Sequence, residues 1–104
     1  LFIHSKFQDG NLSPAAVAGH FSISVNYLHK LFAKENITFG AFVRRSRLAR
    51  ASNLLADPRE NLKSISEIAY STGFNDLSHF YRLFKEKHGM PPGAYQAIHT
   101  NLEE

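Results

Sequence analysis

Apolar residues recur at three- and four-residue intervals along most of this chain, and almost no stretch alternates apolar with polar residues. That periodicity predicts helices rather than strands. Residues 1–8 bring Phe2, Ile3 and Phe7 near one helical face, as the end of a helix would, and Asp9-Gly10-Asn11 signals a turn. Ser13-Pro14 predicts the cap and first position of a helix over 14–20, with Val17, Ala18 and Phe21 facing inward. Ser24 can cap the next helix, whose apolar stripe is Val25, Leu28, Leu31 and Phe32, leaving Asn26, Tyr27, His29, Lys30 and Lys34 on other faces. Thr38 caps a longer helix over 39–56, with Phe39, Phe42, Val43, Leu48, Ala51, Leu54 and Leu55 as its apolar side. Asp57-Pro58 ends that helix, and Arg59-Glu60-Asn61 reads as a polar loop.

In the second half, Ser64 and Glu67 form a capping box before a helix carrying Ile65, Ile68 and Ala69. Gly73 stops it, as a left-handed glycine does. Either Asn75 or Asp76 caps a helix over 76–87, buried through Phe80, Leu83, Phe84 and part of Leu77. The turn Gly89-Met90-Pro91-Pro92 leads into a last helix over 92–99 that packs through Ala94, Tyr95 and Ile98. The expected fold is all-α, with about seven short helices.

The two halves repeat. Val17-Ala18 and Ile68-Ala69 lie 51 residues apart, and Ile23-Ser24 and Phe74-Asn75 keep that offset. Leu28, Leu31 and Phe32 then match Phe80, Leu83 and Phe84 at an offset of 52, which requires one inserted residue in the second unit. Each unit reads as a pair of helices joined by a tight turn, followed by a turn into another helix. Such a pair describes a helix-turn-helix, whose second helix fits the DNA major groove and turns polar side chains toward base edges. A small helical bundle that binds other proteins shares the pattern. The units are expected at 1–38 and 57–104, joined by a linker helix over 39–56.

Composition narrows the choice. With 104 residues, 43% of them apolar, the chain can bury a core. It has no cysteine, which excludes disulfides and Cys-based zinc sites. No run is long and apolar enough to span a membrane, and the first residues do not resemble a signal peptide. The start lacks Met, so a fragment of a longer protein is expected. Net charge is +3, unevenly spread: residues 1–56 carry seven Lys/Arg against two acids, and residues 57–104 five against seven. A basic half can steer toward phosphate backbones, or serve solubility alone. Six scattered histidines, no HExxH, no glycine-rich phosphate loop and no nucleophile motif leave catalysis, metal binding and cofactors without support.

The stretches SxxYLHKLF at 24–32, FVRRSRLARASNLL at 42–55 and IxEIAYSTGFNDLSHFYRLFKEKHGMPPGAY from Ile65 to Tyr95 resemble the DNA-binding domain of the AraC/XylS family of transcription regulators. The resemblance covers about residues 13–96. It implies two helix-turn-helix subdomains bridged by a long helix, with recognition helices at 24–34 and 76–87 entering successive major-groove segments of double-stranded DNA. It also implies an effector or dimerisation domain outside this chain, RNA polymerase as a partner, an activator role, and a bacterial cytoplasmic location on the nucleoid. Ser22 departs from the pattern, standing where the family has a turn glycine, as Gly73 does in the second unit. Gly19 inside a helix costs about 1 kcal/mol relative to Ala.

By that resemblance the first reader presents Asn26, Tyr27, His29 and Lys30, and the second Leu77, Ser78, His79, Tyr81 and Arg82. Lys30 can donate to guanine or hold a phosphate, and His29 can read a base or simply face solvent. Asn26 suits adenine or a phosphate at the helix start. Arg82 can grip guanine or phosphate, or pair with Glu86 four residues on. Tyr81 and His79 can hydrogen-bond DNA, and the Tyr81 ring can equally pack. Leu77 can touch a thymine methyl or pack. Phosphate contact or bracing is expected of Ser24, Lys34, Arg44, Arg45, Arg47, Arg50, Asn75 and Lys85. The four linker arginines spread around their helix, and Arg47 matches a family position expected to brace the two subdomains.

Overall fold

The computed structural model describes residues 12–60 and 62–101. The expected helix over 1–8, the turn at 9–11 and Asn61 lie outside them. Among the described residues there are six α-helices and one short 3-10 turn: α1 (Pro14–His20), α2 (Val25–Ala33), α3 (Phe39–Leu55), the 3-10 turn Pro58–Glu60, α4 (Ile65–Ser71), α5 (Leu77–His88) and α6 (Pro92–Asn101). The predicted polar loop at 59–61 therefore holds a 3-10 turn, closed by the Glu60 N–H donating to Asp57 O at 2.9 Å and capped by the Asp57 carboxylate, which accepts from the Arg59 backbone N–H at 3.0 Å.

Helices α1 to α5 start where their cap chemistry directs. The hydroxyls of Ser13, Ser24 and Thr38 accept from the backbone N–H three residues on, at 3.1, 3.0 and 3.1 Å. Ser64 and Glu67 complete the reciprocal capping box: each side chain accepts from the other residue's backbone N–H, at 3.0 and 2.9 Å. Those bonds hold the Glu67 carboxyl below its usual pKa. The cap of α5 is Asp76, whose carboxylate accepts from the N–H groups of Ser78 and His79.

The repeat is exact at the turns. In the first unit Ser22 N–H donates to Gly19 O and Ile23 N–H to Ala18 O; in the second Gly73 N–H donates to Tyr70 O and Phe74 N–H to Ala69 O. Both are Schellman motifs, in which the N–H of a left-handed residue and the N–H of the residue after it reach back and satisfy helix-end carbonyls. The left-handed residues are Ser22 (φ 57°) and Gly73 (φ 106°). Because Ser24 and Asp76 are the equivalent caps, the inserted residue falls between Phe74 and Asp76, and Asn75 is the extra one. The repeat extends into the third helix of each unit, as the sequence pattern has it. Asn36 and Gly89 are again left-handed, and Phe39 and Pro92, 53 residues apart, are both buried at the first position of a third helix.

Two cores result. Val17, Ala18, Leu28, Phe39 and Val43 form the first, and Leu48, Ala51, Leu55, Ile68, Ala69, Phe74, Phe80 and Phe84 the second. Helix α3 serves both. Its first half buries Phe39 and Val43, and its second half buries Leu48, Ala51, Ser52 and Leu55. At 100° per residue these two sets lie on opposite sides of the helix. A single amphipathic stripe therefore never develops along α3, and each half is amphipathic separately. The whole is elongated, 50 × 23 × 23 Å.

Some expected core positions are open. Phe21 is 46% exposed and does not face inward, because the left-handed turn at Ser22 follows it directly. Val25 and Leu31 are also exposed, at 37% and 38%.

Candidate nucleic-acid interface

The side chains of α2 divide by face. Leu28 is buried and Phe32 half-buried in the first core, while Asn26, His29, Lys30 and Lys34 are exposed and Tyr27 is 52% exposed. Helical geometry places Asn26 and Lys30 one above the other, four residues apart and directed away from the core. Ser24 is exposed at the cap, and no acidic residue stands in the first turn of α2. The free N–H groups there carry partial positive charge suited to a phosphate.

Helix α5 repeats the arrangement. Phe80 and Phe84 are fully buried, their rings tilted against each other at 5.7 Å between centres, and Phe74 meets Phe80 edge-on at 5.0 Å. These aromatics fix the rotation of α5. Ser78, Arg82 and Lys85 consequently project to the opposite, exposed face. Arg82 makes no ion pair with Glu86; the ion pairs among the described residues are Arg59–Asp57 and Lys63–Glu60. His79 is half-buried. Tyr81 is 40% exposed and sets its ring edge-on to Phe80 at 5.7 Å, so packing and exposure coexist there. Leu77 packs against the second core. Asn75 is exposed beside the cap.

The linker arginines separate as the helical wheel requires. Arg44, Arg45 and Arg50 are exposed, whereas Arg47 is half-buried in a cleft with Pro14, His29, Thr38, Phe39 and Val43. That position puts Arg47 against the first unit. Arg44 lines the same cleft and also a second one, between α3 and α5. Lys87 lines this second cleft. The repeat pattern gives no sign of it, because only the tertiary placement of α3 across α5 brings Lys87 near the linker.

The far side of α5 is braced differently. The Ser52 hydroxyl donates to Leu48 O at 2.8 Å, so its oxygen accepts from His88 Nε2, also at 2.8 Å. His88 meets the rings of Phe84 and Tyr95 at 4.4 and 4.5 Å, and those two rings also touch each other, at 5.2 Å. Burial, then the positive charges of Lys87 and His99, push its pKa down. This contact ties α3, α5 and α6 together away from the exposed face that carries Ser78, Arg82 and Lys85.

A family model for a helix-turn-helix domain matches residues 17–98. The chain is 37% identical over 96 residues to the transcriptional activator RhrA of Rhizobium meliloti, covering 92% of this chain and 30% of that protein. It is 32% identical over 100 residues to the transcriptional activator NphR of a Rhodococcus species, covering 96% and 29%. The chain thus spans about three tenths of the length of these relatives. Among solved structures, the C-terminal domain of AraT, a response regulator from Geobacillus stearothermophilus, superposes with a TM-score of 0.80 at 26% identity, covering 93% of this chain and 78% of that one. The C-terminal domain of the response regulator yesN from Fusobacterium nucleatum gives 0.77 at 27% identity, covering 91% and 90%. A duplicated helix-turn-helix on one bridging helix, matched over most of its length, makes this chain a member of the AraC/XylS family of transcription regulators, in its DNA-binding domain.

Proposed function

We propose that the chain reads double-stranded DNA with two recognition helices, α2 and α5, set in successive major-groove segments on one face of the duplex. The observation that carries this reading is the duplicated turn. Ser22 and Gly73 redirect the chain with the same hydrogen bonds, so each unit offers an outward polar helix in the same relation to its core. A 50 Å body accommodates two readers about one helical turn of DNA apart, roughly 34 Å. Asn26, Tyr27, His29 and Lys30 supply the first reading surface, and Ser78, His79, Tyr81 and Arg82 the second, with Leu77 a packing residue at its edge. Ser24, Lys34, Arg50, Asn75 and Lys85 are placed for phosphates, and Arg47 braces the linker against the first unit.

In the whole protein we assign this unit the output role of an activator, acting in the bacterial cytoplasm on the nucleoid. An effector or dimerisation domain outside the chain and contact with RNA polymerase complete that proposal. Support comes from two relatives named transcriptional activators, of which the chain matches about three tenths.

Selection of bound duplexes from a random DNA library tests the reading. A selected site should contain two conserved blocks, and affinity for it should fall steeply as salt rises. Absence of binding to mixed-sequence DNA at low salt overturns the proposal.

A further inference from the structure

Resting on the DNA-binding reading, we propose that the cleft between α3 and α5 grips the phosphate backbone that lies between the two major-groove segments. The cleft has a volume of about 320 Å³. Its charged lining is Arg44 and Arg45 from α3 and Glu86 and Lys87 from α5, over an apolar floor that includes Leu48 and Leu83. Three cations therefore face one anion. None of the four takes part in an ion pair among the described residues, and all four are exposed. Cationic groups above a low-dielectric floor attract an anion more strongly than they do on an open surface.

The position of the cleft identifies the anion. Arg44 also lines the neighbouring cleft that contains His29 of the first reader, and its guanidinium lies over Gly40, where an added Cβ would stand 3.3 Å from its Nη1. Glu86 stands one turn beyond Arg82 on the same side of α5, at the margin of the second reader. The cleft is thus bracketed by the two reading surfaces. A duplex that enters both with successive major grooves must turn the intervening minor groove, walled by two phosphate backbones, toward α3. The cleft meets that backbone. Lys87 becomes a DNA contact although it lies off the reading face of α5. Glu86 opposes the contact and lowers affinity without regard to sequence.

The test uses the whole chain and a duplex selected from a random library. Each phosphate contact adds about 0.9 to the slope of log affinity against log salt. Lys87→Ala and Arg45→Ala should each lower that slope by about 0.9, so that wild type loses roughly 3.5-fold more affinity than either variant between 50 and 200 mM salt. Random-sequence DNA should show the same change. Glu86→Gln should tighten binding to both DNAs. Methylphosphonate substitution of the phosphates between the two conserved blocks should weaken wild type and have little further effect on the Lys87→Ala variant. Circular dichroism melts check that the variants fold. Slopes unchanged in Lys87→Ala and Arg45→Ala, with Arg82→Ala still defective, overturn the cleft while the reading helices stand. Failure of wild type to bind any duplex overturns the DNA-binding reading itself.

Discussion

Replacing Ser22 with glycine should stabilise the protein, against the general rule that glycine weakens a fold. Ser22 sits at φ 57° in the first Schellman turn. A residue with a Cβ pays about 1–2 kcal/mol for the left-handed conformation, because the Cβ crowds the following carbonyl. Glycine avoids that cost but loses more backbone entropy on folding, an opposing term of about 0.4–1 kcal/mol. The balance favours glycine by about 0.5–1 kcal/mol, or a rise in Tm of a few degrees in a domain of this size. The exposed Ser22 side chain contributes no burial to offset it. Thermal denaturation followed by circular dichroism measures the change. Ser22→Ala is the control: alanine keeps the Cβ and loses only the hydroxyl, so its Tm should stay near that of wild type. The reciprocal change, Gly73→Ala, should destabilise by about 1–2 kcal/mol or more, since φ 106° lies beyond the left-handed well that L residues reach. A Ser22→Gly protein that melts at or below the wild-type temperature, or a neutral Gly73→Ala, would refute this account of the two turns.

Other expectations follow from particular contacts. Phe80→Ala should cost about 3–5 kcal/mol, because the fully buried ring leaves a cavity at the centre of the second core, and denaturant unfolding should show that unit lost first. Ser64→Ala removes one half of the capping box and should cost about 0.5–2 kcal/mol by the same assay. Arg82→Ala should weaken binding to a selected duplex by about 1–3 kcal/mol and relax preference at one base position, whereas equal loss on selected and random DNA would make Arg82 a phosphate contact instead. His88 has a lowered pKa, so the unfolded chain takes up its proton first as pH falls below about 6.5. Stability should therefore hold above that pH and decline below it through the folded-state value, and His88→Gln should flatten this part of a Tm-against-pH curve.

Much of the fold was legible because its signals are local. Ser13-Pro14, Thr38 and the Ser64/Glu67 pair act within one turn of helix, and the structure starts α1, α3 and α4 at each of them. Periodicity identified Phe80 and Phe84 as core and left Arg82 outside. It failed at Phe21, which was expected to face inward although the period breaks there and the left-handed Ser22 follows. It also failed to separate the two faces of α3, since the residues that bury Phe39 and those that bury Leu55 belong to different units.

What the sequence determined by itself is the repeated helix-turn-helix and most of the residues that fill its two cores, because caps and amphipathic periods are written in neighbouring positions. Tertiary structure alone decided how the repeats are joined. Helix α3 buries opposite sides in its two halves, which sets one unit relative to the other and opens the cleft where Arg44, Arg45 and Lys87 meet. Lys87 lies more than 40 residues from those arginines, and no local pattern records that distance being closed. Packing across the two cores closes it.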